Sequence, residues 1–329
     1  MSFWPLIKVL PVKTNFRFVD FAIYAGIASI LAAVVSLALV LLPFKGPCGG
    51  LNCGIDFKGG TVLVISAPKP IDMAGVRATL AGMELGDVQV QETSGAPGEK
   101  PPPYLVLARF ETPANLSPAE TVTRVKTRLA ALVPGGSFPK ADVVGPKVSG
   151  ELLTNGILAL LVAIGLMLVY IWFRFELQFG MGAVVALFHD VILTFGLIAF
   201  TKMEFSLTTI AAILTIIGYS MNDTVVVFDR LRENLRKYKK MPLREVIDLS
   251  INETLSRTII TGLTAIMALA GLAVFGGEAL FGFSIIMMFG IALGTYSSIY
   301  VAATVILLWG VKRGEEEVTP IKFGAASRP

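Results

Sequence analysis

Six apolar runs of about 20 residues or more recur along the chain, roughly at 21–43, 152–173, 180–200, 205–228, 258–276 and 280–310. About 20 helical residues cross the hydrocarbon core of a bilayer. A lone segment in lipid satisfies its backbone hydrogen bonds only as a helix. The runs therefore predict a polytopic α-helical membrane protein with six transmembrane helices, the last long enough to tilt or project. Composition agrees, with 54% hydrophobic and 16% charged residues, where a soluble domain has about 25% charged.

The first run follows Lys8, Lys13 and Arg17 and could pass for a secretory signal. It exceeds the roughly 7–15 residue core of one and lacks a small-residue cleavage pattern, so it reads as a retained anchor. The net charge of +4 comes from basic residues flanking apolar runs. Such residues anchor and orient a membrane protein, and nucleic acid is not expected as a partner.

Orientation follows from the short flanks. The N-terminus (1–20), the loop after the fourth run (Arg230, Arg232, Arg236, Lys237, Lys239, Lys240, Arg244) and the tail (311–329, with Lys312 and Arg313) are basic and belong in the cytoplasm. An even helix count permits this. Residues 44–150 then form an extracytoplasmic insert between helices 1 and 2, while 151–310 hold helices 2–6.

Within the insert, "TVLVISA", "DVQVQET", "YLVLARF" and "KADVVG" read as strands. "IDMAGVRATLAGM" and "SPAETVTRVKTRLAAL" read as helices, the second opening on a Ser117-x-x-Glu120 capping box with Pro118 at its first position. The order βαββαβ predicts an α+β ferredoxin-like domain. It has no phosphate loop, nucleophile motif or metal cluster, so a binding or mechanical role is expected and not an enzyme. The two cysteines, Cys48 and Cys53 in "CGGLNC", lie just past the first helix. A disulfide pinning a Gly-rich loop and two unpaired thiols fit the sequence equally. The loop about 229–256 carries Leu243, Val246, Ile247, Ile251 and Leu255 at helical spacing, predicting an amphipathic helix at the membrane surface or against a partner.

Polar residues inside the apolar runs carry the functional signal. In the fourth run Tyr219, Asn222, Asp223 and Val226 follow i, i+3, i+4, i+7 spacing, with Ser220 three residues before Asp223. At 1.5 Å per residue Asp223 lies about 10 Å from Arg230 along the helix, inside the membrane. A carboxylate at mid-membrane costs roughly 2.5–3.5 kcal/mol on insertion scales. In the fifth run Arg257, Thr261 and Thr264 form another stripe, so a facing Asp223–Arg257 pair is geometrically reasonable. Two readings fit it. The pair is a static bridge, or Asp223 binds and releases a cation while Arg257 moves toward and away from it. His189 and Asp190 in the third run are candidates to join such a relay or to pack. Gly290, Gly294 and Ser298 in the sixth run suit close helix contact.

Five strings in order, "GIDFKGGT", "VGPKVSGELL", "ALFHDV", "IGYSMNDTVVVFDRLREN" and "ETLSRTIIT", resemble the SecF family of protein-export membrane proteins, within the resistance-nodulation-division (RND) architecture. The resemblance covers most of the chain. It implies the bacterial cytoplasmic membrane, a pseudo-symmetric pairing with SecD, and association with the SecYEG channel and YajC. It also implies use of a proton or sodium gradient, with no other cofactor, to draw a translocating preprotein outward after SecA has pushed it in. By motif, Asp223 and Arg257 match the family's relay carboxylate and arginine, with Asn222 and Ser220 their polar neighbours and Thr261 on the arginine's stripe. The family has no block matching Cys48 and Cys53. The alternatives are an RND-like exporter of lipids or small molecules and an intramembrane hydrolase built on His189 and Asp190. The hydrolase lacks nucleophile and metal motifs.

Overall fold

The computed structural model describes residues 14–42, 48–86, 88–93, 104–113 and 116–311. Among these residues six helices are long and apolar enough to cross a membrane. α1 (Ala22–Leu41) follows a short 3-10 turn, and α5 (Pro146–Arg174) starts with proline, whose missing N–H is no loss at a first helical position. α6 spans Leu177–Thr201, α7 Leu207–Lys237 and α8 Leu243–Phe275. The sixth span is α9 (Gly277–Ser297), a π-turn over Ser298–Ala302, and α10 (Ala303–Trp309). The basic N-terminus up to Lys13, the glycine- and proline-rich stretch 94–103, and Lys312 and Arg313 lie outside the described residues.

Two rings of helices are present. The most apolar windows of α6, α7 and the sixth span are 56–61% buried, against 6–11% for α1, α5 and α8. Large apolar side chains such as Ile30, Leu31, Leu161 and Phe173 point outward, toward lipid or a partner. The buried polar side chains of the bundle lie chiefly on α6, α7, α9 and the first half of α8.

The stretch about 229–256, expected to carry an amphipathic helix at the membrane surface or against a partner, is divided between the end of α7 and the start of α8. α7 runs on to Lys237, and Leu243 begins α8, which continues unbroken to Phe275. Leu243, Val246, Ile247, Ile251 and Leu255 are buried against the bundle. Tertiary packing supplies the apolar partner that the sequence pattern left unspecified. Asn234 Nδ2 donates to Ser250 Oγ (3.0 Å) and Glu253 Oε2 (2.7 Å), Arg230 pairs with Glu233 and Glu253, and Arg174 pairs with Asp229. These bonds knit the helix ends distal to the α+β domain.

That domain is a four-stranded antiparallel sheet of β2 (Gly60–Ala67), β3 (Gln89–Thr93), β4 (Tyr104–Phe110) and β5 (Ser137–Val144), in the order β3-β4-β2-β5. With α3 (Met73–Ala81) and α4 (Pro118–Leu132) this is the split βαβ, ferredoxin-like arrangement. Alternation sends Leu63, Ile65, Val106, Ala108 and Phe110 to one face, where Val76, Leu80, Val125 and Leu129 of the helices cover them. The capping box forms, with Ser117 Oγ accepting from Glu120 N and the Glu120 carboxylate accepting from Ser117 N. Leu129 is fully buried, and Leu129→Ala is expected to destabilise the domain by about 2–5 kcal/mol, read as faster hydrogen exchange in β2 and β4 of the full chain.

The joint between this domain and the bundle is built from segments too short to show a sequence period. β1 (Asn52–Cys53) pairs in parallel with β6 (Glu204–Phe205), in the loop between α6 and α7. Arg109 of β4 forms an ion pair with Glu204, and Asn52 Nδ2 donates to Lys202 O at 3.2 Å. In "GIDFKGG", residues 55–58 make the single turn α2 (Ile55–Lys58), and Asp56 Oδ2 accepts from Leu207 N, the first residue of α7, at 2.9 Å. Gly59 and Gly60 follow with φ of 74° and 125°. A side chain on Gly60 would meet Phe110 O at 2.8 Å, so glycine is required where the chain enters the sheet. The loop holds Cys48 and Cys53 as a disulfide, Cα to Cα 5.9 Å.

Candidate functional site

A polar seam runs through the apolar bundle. Asp223, on the buried side of α7, is 5% exposed. Its Oδ1 accepts from Thr258 Oγ1 of α8 at 3.3 Å. Its Oδ2 makes no hydrogen bond of ordinary geometry among the described residues, although the Thr295 hydroxyl of α9 also acts on the carboxylate. A buried carboxylate normally fills both oxygens, so Asp223 sits in a half-satisfied pocket, able to take a proton or another donor.

Arg257 precedes Thr258 by one residue and is exposed. Successive helical residues point about 100° apart, so only one of the two faces Asp223 squarely, and Thr258 does. The Arg257 charge still acts electrostatically on Asp223, but no ion pair joins them among the described residues. The same rotation separates Asn222 from Asp223. Asn222 is exposed and lines a groove with Ala163, Met167, Tyr170 and Gly218, between α5 and α7. Thr261 donates to Arg257 O of its own helix (2.9 Å).

Ser220 goes elsewhere. Its Oγ donates to Asp190 Oδ2 on α6. Ser297 Oγ of α9 donates to the same oxygen at 2.7 Å, and His189 Nδ1 lies 2.9 Å from Asp190 Oδ1. Asp190, 1% exposed, is thus the hub of three helices. Ser220 and Asp223, three residues apart, share the buried side of α7, which places both carboxylates along one seam.

Small residues make the seam tight. A Cβ on Gly290 would collide with the Ile216 side chain, and one on Gly294 would lie 3.0 Å from Ser220 Cβ, so both glycines let α9 press against α7. Ser298 starts the π-turn directly after Ser297, and such turns are frequent at functional sites. Sequence reasoning missed Ser297 and Thr258. The signal available was a Ser-Ser pair in an apolar run and a threonine beside the basic residue.

Six membrane helices, a ferredoxin-like domain mounted on the α6–α7 hairpin and a two-carboxylate seam define a polytopic membrane protein with an inserted α+β domain. A family model described as "Protein export membrane protein SecD/SecF, C-terminal" matches residues 124–312, and the chain belongs to that family. It is 45% identical over 322 residues to the protein translocase subunit SecF of Rhodobacter capsulatus, covering 95% of each chain. It is 46% identical over 312 residues to that of Cereibacter sphaeroides, covering 94% of each. Among solved structures, SecDF of Thermus thermophilus, a translocon-associated membrane protein, matches with a TM-score of 0.79 and 32% identity over 92% of this chain. The chain spans 40% of the length of that SecDF.

Proposed function

We propose that this chain acts as a SecF-type subunit of a protein translocase in the bacterial cytoplasmic membrane, with both termini in the cytoplasm. It pairs with SecD, works beside SecYEG and YajC, and couples a proton or sodium gradient to the outward movement of a preprotein after SecA has acted. In this reading Asp223 is the carboxylate that binds and releases the ion, Arg257 is the mobile countercharge, and no covalent bond is made or broken. The observation that carries the reading is the buried, half-satisfied Asp223 in a chain of the SecD/SecF family. A gradient supplies about 2.3 kcal/mol per charge per 100 mV, comparable with the cost of separating a modest ion pair. Mounting of the α+β domain on the first residue of α7 through Asp56 supports a mechanical link between the relay helix and the domain.

The test is depletion and rescue. Cells depleted of the chain are expected to accumulate uncleaved preproteins, and restoring it returns export, with SecD and SecYEG co-purifying. Normal export under depletion, or purification as a homo-oligomer free of SecD, overturns the reading in favour of a free-standing exporter. Collapsing proton and sodium gradients one at a time in inverted vesicles identifies the ion.

A further inference from the structure

We propose that His189 and Asp190 form a second proton-binding site, separate from Asp223, in which the imidazole takes up a proton at Nε2 and the adjoining carboxylate holds the imidazolium formed. Asp190 receives hydroxyl donors from Ser220 and Ser297 on one oxygen and faces His189 Nδ1 on the other. Two hydroxyl donors, from α7 and α9, converge on Oδ2 and suit an ionised carboxylate, which accepts and does not donate. With the carboxylate ionised, Nδ1–H is the donor across the 2.9 Å contact and Nε2 of the neutral ring carries a bare lone pair. Nε2 is buried and has no partner among the described residues, in a side chain 6% exposed. A histidine kept only for packing would be expected to satisfy both nitrogens.

Proton uptake at Nε2 balances simply. The neutral imidazole becomes an imidazolium, the Nδ1–H···Oδ1 bond is kept, and the pair's net charge goes from −1 to zero. Release is the reverse. Imidazole is the side chain whose ordinary titration falls within about pH 5–8.

The neighbouring groups do not compete for this role. From α9, the Tyr296 ring lies 6.1 Å from the imidazole, with its hydroxyl donating to Ala25 O at 2.9 Å and 2.9 Å from Ser29 Oγ, and Tyr300 of the π-turn lies tilted against the Tyr296 ring. α7 carries Asp223, with its other charged residues from Asp229 onward at its C-terminal end, and α8 carries Arg257, which acts on Asp223, with its other charged residues between Arg244 and Glu253. α1 and α10 contain no charged residue, and those of α5, Lys147, Glu151 and Arg174, lie toward its two ends. Use of the dyad in gradient coupling rests on the Asp223 reading, whereas proton binding by the dyad does not.

The chain has a single histidine, so ring-15N histidine in the full chain, carrying a tag without histidine and held in lipid nanodiscs, gives one imidazole without assignment. Expected is a neutral ring with protonated Nδ1 at about pH 8, whose Nε2 signal moves to the protonated position on acidification toward pH 5. Asp190→Asn keeps a carbonyl for the serine donors but removes the charge, and should lower the midpoint by about 1–3 pH units. In Asp223→Asn the titration should persist, so failure of the relay reading would leave this result standing. A single neutral tautomer throughout that pH range in the unsubstituted chain overturns the proposal, as does a midpoint that Asp190→Asn leaves in place.

Discussion

Asp223→Asn is expected to reduce gradient-driven export to the level seen without the chain, while leaving insertion and pairing with SecD intact. The asparagine carbonyl can still accept from Thr258, and its volume matches the aspartate in the buried pocket of α7. Removing a buried charge also removes its desolvation penalty, so the melting temperature in detergent should hold or rise. Loss of function with retained or greater stability separates a working carboxylate from a structural one. Asp223→Glu keeps the charge but moves it by one methylene and should retain partial export. Arg257→Ala removes the countercharge without opening the core, because Arg257 is exposed, and it should abolish stimulation without unfolding. Normal export by Asp223→Asn would overturn the relay reading. A fall in melting temperature for Arg257→Ala would show that its charge serves stability.

The fold was legible in the sequence because both of its periods are strong. Lipid forces helices on the long apolar runs, and alternation in residues such as Leu63, Ile65, Val106 and Ala108 forces a one-sided sheet. Asp223 was legible for a different reason, since a carboxylate in an apolar run is costly wherever the helix turns. Its surroundings were not. Helical spacing places side chains on a face to within about one residue, while the choice between Arg257 and Thr258, or between Asn222 and Asp223, turns on a rotation set by neighbouring helices. Gly290 and Gly294 fix the approach of α9 to α7, and with it the placing of Ser297 beside Asp190. The β1–β6 pairing joins residues about 150 positions apart through two-residue strands, too short to show any period.

Gly196→Val is expected to detach α1 from the bundle. A Cβ built on Gly196 of α6 would collide with Ser36 Oγ and Cβ and come within 2.9 Å of the Ser36 backbone. Rotating the serine side chain does not relieve the backbone part of that clash. α1 buries little else: Ala22, Ser29 and Ser36 are its buried residues, and Ser29 and Ala25 O are tied to Tyr296 of α9. In lipid, apolar surface gives no drive for helices to associate, so a seam of small residues in close approach is what holds such a helix. Overpacking typically costs about 1–3 kcal/mol, and a backbone clash at the tightest point of a sparse interface belongs at the upper end. The expected readout is a lower melting temperature in detergent and new labelling of a cysteine placed at Ser29. Gly196→Ala should show a smaller loss, partly recovered by Ser36→Gly, because that change removes both side-chain atoms of the clash and leaves only the backbone in the way. Recovery in the double variant would locate the coupling at this crossing of α1 and α6. Its absence, with Gly196→Val still stable, would mean that Tyr296 and the Gly50 N to Val40 O bond at 2.8 Å hold α1 without the seam.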